Sequence, residues 1–301
     1  MSSLVLTPGL FRLAAFSLLP LIGAVYLAWP RPAGRRQRQV EKWADQNLAR
    51  LTPDVSTALD VALTRRNRGG ATILAVVAVL ALPTSFASTS GAEPGWFWAI
   101  SVFGVAILAL ILTGSWQLAR PWFQVGPLRS ARPRAVGLND YLLPLVRWIA
   151  WGAGVVCLAG AGLAVLFPKS PAQTAAAVVP AVGVVAGVAA AELIGRRIVR
   201  LPQPARDDVE LYALDAWRAE TALTGFLAPT IFGGYVMLLV SGEGVANLWA
   251  ELVLRAVGIV IWIGLLFALR DLPPYCVAWV RGRLWPQLDD KELIGTGAVT
   301  A

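Results

Sequence analysis

Two short runs carry the polar groups best placed for chemistry in an otherwise apolar chain. LALPTSF at 80–86 and FLAPTIF at 226–232 share the pattern Pro-Thr-x-Phe. Proline inside a helix removes one backbone N–H and leaves a carbonyl that, in lipid, must find another donor. The hydroxyl of the following residue, Thr84 or Thr230, is a local candidate for that role. In many membrane carriers, matched Pro- or Gly-interrupted helices in the two halves of the chain frame the substrate site near the midplane. Pro83, Thr84, Ser85, Pro229, Thr230 and Gly233 therefore form a candidate cavity or hinge. The plainer alternative is that proline is simply common in membrane helices, and Pro20, Pro144 and Pro180 have no such duplicate.

Ionisable groups at membrane depth are the next candidates. Glu251 and Arg255 stand four residues apart, the spacing of a helical ion pair, so they are a candidate intramembrane pair or a snorkelling arginine with its solvated partner. Glu192 has Arg196 one helical turn away. No carboxylate falls near the middle of an apolar segment, which argues against a conventional proton relay. The chain has no histidine, which removes the commonest metal ligand and the usual general base at neutral pH. Its two cysteines, Cys157 and Cys276, lie in different environments and make no disulfide framework. Asp207 and Asp208 sit where acids cap a helix start. There is no G-x-x-x-x-G-K-[ST] run, so nucleotide energy would have to come from another subunit. The expectation is a protein with no catalytic residue set, no metal site and no cofactor.

The elements that must position these residues follow from composition. Of 301 residues, 57% are hydrophobic and only 15% charged, and the mean hydropathy is +0.63. Soluble domains carry about a quarter charged residues, so this chain belongs in a bilayer. Seven segments are long enough to cross as helices: 10–29, 71–88, 96–119, 141–167, 172–195, 221–241 and 249–269. The fold expected is an all-α, polytopic membrane helix bundle, with 1–301 as a single membrane domain. Nine Lys and Arg residues follow the first span, four the third, five the fifth, and four lie in the tail, whereas Lys169 is alone on the opposite side. Basic residues are retained inside, so the N-terminus is expected outside and the C-terminus in the cytoplasm. The same distribution accounts for the net charge of +8 without nucleic acid and points to anionic head groups as the counter-charge. Most tryptophans, among them Trp148, Trp249 and Trp285, fall near expected interfaces. A bacterial plasma-membrane location is expected, since the Ala, Arg and Trp bias resembles high-GC bacterial membrane proteins.

Outside the bilayer the largest piece is the cytoplasmic segment 30–70. Val40, Trp43, Ala44, Asn47, Leu48 and Leu51 recur at helical spacing, and Val55, Ala58, Leu59, Ala62 and Leu63 do so again after LTPD. Thr52 as N-cap with Pro53 at the first helical position marks the second start. Val209, Tyr212, Ala213, Ala216 and Trp217 repeat the pattern behind Asp208, as Val55 does behind Asp54. Each element leads into a Pro-Thr span, which suggests a 3+1+3 parallel internal repeat with the fourth span as connector. Gly183, Gly187 and Ala191 on one span, and Gly152, Ala153, Cys157, Gly160 and Ala161 on its predecessor, offer small-residue faces for packing, with a homo-oligomer as the alternative use. Residues 286–301 read as a flexible tail. The function expected is a transporter-like or permease component, because the Pro-Thr duplication has no role in a mere scaffold; the alternative is a non-catalytic scaffold or accessory that meets a cytoplasmic protein through residues 35–66.

Overall fold

The computed structural model describes residues 19–87, 136–168, 171–201, 205, 207–240 and 275–286, together with 249, 252, 253, 256, 259 and 260. Secondary structure among them is helical, without strands. In chain order the helices are α1 (Leu19–Ala28), α2 (Ala33–Asn47), α3 (Pro53–Ala87), α4 (Leu138–Tyr141), α5 (Pro144–Leu166), α6 (Pro171–Arg200) and α7 (Asp208–Val240), followed by the helical stretch 275–284, α8. Two of them, α5 and the Ala177–Arg200 part of α6, are long and apolar enough to cross a membrane. On α5, Leu145, Trp148, Val155, Leu158 and Val165 are exposed, an outward apolar face of the kind lipid would cover. Expected spans 96–119 and nearly all of 249–269 lie outside the described residues, as do Glu251, Arg255 and the tail beyond Pro286.

Several boundaries differ from the sequence expectation, each for a local reason. The segments expected at 71–88 and 221–241 continue the amphipathic helices before them without a break. Each is the second half of one continuous helix, α3 and α7. No proline stands at either junction, and the Gly69–Gly70 step in α3 costs only about 1 kcal/mol per glycine relative to alanine. The helix in the segment expected at 141–167 begins at Pro144, because a residue before proline avoids helical dihedrals. Leu143 accordingly adopts φ −55° and ψ 128°, and Tyr141 belongs to the separate turn α4. The helix in the segment expected at 172–195 runs on past Gly195 to Arg200, since Arg196, Arg197 and Ile198 continue it without a breaker.

Capping sets the short connections. The Thr52 hydroxyl accepts the Val55 N–H at 3.3 Å at the start of α3, and the Asp207 carboxylate accepts the Glu210 N–H at 2.8 Å at the start of α7. Helix α2 ends at Leu48, which takes φ 52°, with the Ala49 N–H reaching back to the Ala44 carbonyl at 2.9 Å. That left-handed cap is usually glycine, so a leucine there is strained. The Tyr212 hydroxyl donates to the Asn47 carbonyl at 2.9 Å and so ties this turn to α7.

Packing runs as a column. Helix α1 lies along α3, while α5, α6 and α7 pack mutually. At one end Val40, Trp43, Leu59, Leu63, Leu211, Leu214, Trp217 and Trp285 form the core of a helical module built by α2, the first turns of α3 and α7, and α8. Next comes a layer around Leu142, Val146, Val188, Leu223 and Phe226. A layer of small residues, Cys157, Ala161, Ala177, Ala181 and Val184, joins α5 to α6. Ala153, Cys157, Gly160 and Ala161 are buried as expected; Gly152 is exposed, and Gly154 beyond it meets α6, 3.4 Å from Val185 at its would-be Cβ.

Candidate functional site

Helix α7 carries the strongest concentration of enclosed polar groups. Residues 211–219 are all buried, so this part of the helix is surrounded instead of lying amphipathically on a surface. Asp215 has no exposure. Its Oδ1 accepts the Tyr141 hydroxyl at 2.7 Å and its Oδ2 the Trp285 indole N–H at 3.0 Å. One turn on, Glu220 Oε2 accepts the Trp43 indole N–H at 2.6 Å and Oε1 pairs with Arg66 at 2.5 Å. The Arg66 guanidinium also lies over Trp217, 5.3 Å from the ring centre, and Trp217 packs on Trp43 with centroids 5.9 Å apart. Arg218 donates to the Leu201 carbonyl at 2.9 Å; burial holds its pKa below the usual arginine value, opposed by Tyr141. Burial pushes Tyr212 up, with Arg281 pulling the other way. Burial likewise pushes the Cys276 thiol up to about 11, against a lowering contact with the Leu143 backbone.

Chemically this girdle is a clamp. One helix presents two carboxyl groups whose oxygens are occupied by donors from α2, α3, α4 and the segment after α8. Trp285 is buried against Asp215, where its indole N–H finds an acceptor. Sequence reasoning marked Tyr212, Ala216 and Trp217 as an amphipathic stripe and passed over Asp215, Arg218 and Glu220. Three ionisable residues spaced through an otherwise apolar stretch, two of them beside or near Trp217, were the available signal.

The candidate hinge is resolved on its second copy. Thr230 is buried, and its hydroxyl donates to the Phe226 carbonyl at 2.8 Å. The carbonyl that Pro229 leaves without its usual donor belongs to Gly225, one residue further back, so the expected pairing of threonine with the freed carbonyl is not the one made. A threonine hydroxyl in a helix reaches the carbonyl four residues back, not five. Gly233 lies against both neighbours: an added Cβ would meet Cys157 Sγ at 3.2 Å and Val184 Cγ1 at 3.3 Å. The Cys157 thiol points to the Gly233 carbonyl at 3.6 Å. This stretch of α7 is thus packed on α5 and α6. Pro83, Thr84 and Ser85 fall in the last turns of α3, beyond the residues whose side chains are described. Glu251 and Arg255 are outside the described residues.

A second polar cluster joins the ends of α5 and α6. Glu192 holds Arg196 from its own helix and also Arg147 from α5, which contacts it through Nε at 3.1 Å and Nη2 at 2.6 Å. Arg147 Nη1 donates to the Asn139 side chain, and the Asn139 carbonyl accepts the Trp279 indole at 2.9 Å. The i, i+4 partner was legible from spacing; Arg147, 45 residues away in sequence, was not. No group of three metal-ligating side chains occurs among the described residues. No family model matches the chain, and no curated protein or solved structure is significantly similar to it.

Proposed function

We propose that this chain is a multi-pass bacterial plasma-membrane protein, N-terminus outside and C-terminus inside, that serves as a non-catalytic membrane scaffold. Its helical module would face the cytoplasm and receive a cytoplasmic protein across residues 35–66. The observation that carries this reading is the consumption of α7's polar groups by the protein's own side chains. Asp215 and Glu220 both have side-chain partners from other segments at hydrogen-bond distance, an arrangement suited to fixing helices in place. Exposed Gln37, Glu41 and Asp45 line the outer face of α2, where a partner would meet them. The 3+1+3 repeat draws support from the Arg66–Glu220 pair, since these residues are 154 apart, the same offset that separates Asp54 from Asp208. Corresponding positions of two related halves would touch where the halves meet.

A photo-crosslinking amino acid at Gln37, Glu41 or Asp45 in cells tests this. One discrete cytoplasmic adduct from these sites, lost with charge-reversed α2, is the expected result. Absence of adducts from every exposed position of 35–66 would sink the scaffold assignment. The transporter-like reading keeps one point in its favour, the duplicated Pro-Thr pattern on two long helices that both begin in the module. For that reading, replacing Pro83 and Pro229 with Ala, and Thr84 and Thr230 with Val, should impair flux in folded protein.

A further inference from the structure

We infer that Arg147 and Arg196 form a binding site for the phosphate of an anionic phospholipid. Both guanidiniums converge on one atom: Glu192 Oε1 lies 2.6 Å from Arg147 Nη2 and 2.9 Å from Arg196 Nη2. The two nitrogens can therefore be no further apart than those two bonds laid end to end. One carboxylate faces two cations, and the cluster retains an excess positive charge. Glu192 is nearly enclosed, whereas the Arg196 side chain is 59% exposed, so the uncompensated charge lies on the accessible side. Arg200 is exposed one turn after Arg196 and adds to the same field. A phosphate oxygen can take guanidinium N–H groups in the forked geometry that suits arginine, and it separates two like charges.

The surroundings select a lipid as the bearer of that phosphate. Trp148 follows Arg147 and is 74% exposed; Leu193 follows Glu192 and is 68% exposed. Large apolar side chains bordering a cationic cluster at the end of two membrane-length helices match a head group with acyl chains beside it. Basic pockets between helices on the cytoplasmic side are where acidic head groups bind. The inference rests on reading α5 and α6 as spans with their arginine-bearing ends at head-group level.

The test uses the full chain in nanodiscs of phosphatidylcholine, with and without phosphatidylglycerol, reading Tm and the lipid retained in native mass spectra. Phosphatidylglycerol should raise Tm and remain bound. R196Q should weaken that binding at least about tenfold, the loss of one charge-assisted contact, while leaving Tm in pure phosphatidylcholine near that of the wild type. R196K, which restores the charge without the fork, should recover part of it. E192Q removes the competing anion and should tighten lipid binding although it loosens the helix pair, a response that a purely structural cluster would not give. Equal phosphatidylglycerol dependence in wild type and R196Q overturns the site. Displacement by inorganic phosphate as readily as by lipid overturns the lipid assignment in favour of the free anion. Protein that stays soluble without detergent or bilayer overturns the span reading itself, an outcome distinct from the other two.

Discussion

Asp215 is the most exacting place to perturb the molecule. It has no exposure, and at least two donors, the Tyr141 hydroxyl at 2.7 Å and the Trp285 indole at 3.0 Å, depend on it. Hydrogen bonds to a charged acceptor contribute about 1.5–3 kcal/mol each, and two such bonds end at Asp215. Asp215→Ala leaves both buried donors unpaired and should therefore lower unfolding stability by about 3–6 kcal/mol. Asp215→Asn is the informative companion. Its amide oxygen can still accept from Trp285, which only donates, while its NH2 can donate to Tyr141, whose hydroxyl also accepts. The substitution keeps both contacts but loses charge assistance, so about 1–2 kcal/mol is expected. Tyr141→Phe removes one donor and should also cost about 1–2 kcal/mol. The assay is equilibrium unfolding in mixed micelles followed by tryptophan fluorescence. Loss of less than about 1 kcal/mol in Asp215→Ala, or an Asn variant as damaged as the Ala variant, would refute the claim that this carboxyl anchors the module.

Four other outcomes are expected. Leu48→Gly relieves a left-handed residue at φ 52° and should stabilise the fold by about 1 kcal/mol in the same unfolding assay. Gly233→Ala places a methyl 3.2 Å from Cys157 Sγ and 3.3 Å from Val184, and should cost about 1–3 kcal/mol by overpacking. A double-mutant cycle on Arg66→Gln and Glu220→Gln should give a coupling of only about 1 kcal/mol, since both side chains are about one-third exposed and solvent screens the pair. The Cys276 thiol is raised from 9.0 to about 11, so the folded state holds its proton more tightly than the unfolded chain. Its contribution is complete below pH 9 and is lost as the pH rises through about 11, by about 2–3 kcal/mol in all. Stability measured across that range should fall less steeply in Cys276→Ser, and Tyr212, also raised, acts in the same direction.

What was legible in the sequence is what depends on neighbours a few residues apart. Helical class, the start of α3 at Thr52–Pro53, the acidic cap at Asp207, the small-residue faces of α5 and α6 and the Glu192–Arg196 pair all follow from spacing and residue type. Apolar length likewise marked α5 and the body of α6 as membrane-length helices. Local rules do not mark where a helix continues: hydropathy changes along α3 and α7 without any backbone signal to break the helix.

Only the tertiary structure decided which polar groups meet. Asp215 finds Tyr141 and Trp285 at separations of 74 and 70 residues, Glu220 finds Trp43 across 177, and Arg147 finds Glu192 across 45. A side chain's type says that it needs a partner when buried, but not which helix will deliver one. That choice is made by packing: enclosing residues 211–219 of α7 places the carboxyl groups of Asp215 and Glu220 where donors from four other segments converge. Thr230 makes the same point: its type and position named it as a candidate, but only the structure shows its hydroxyl on the Phe226 carbonyl and nearby Gly233 against Cys157 and Val184.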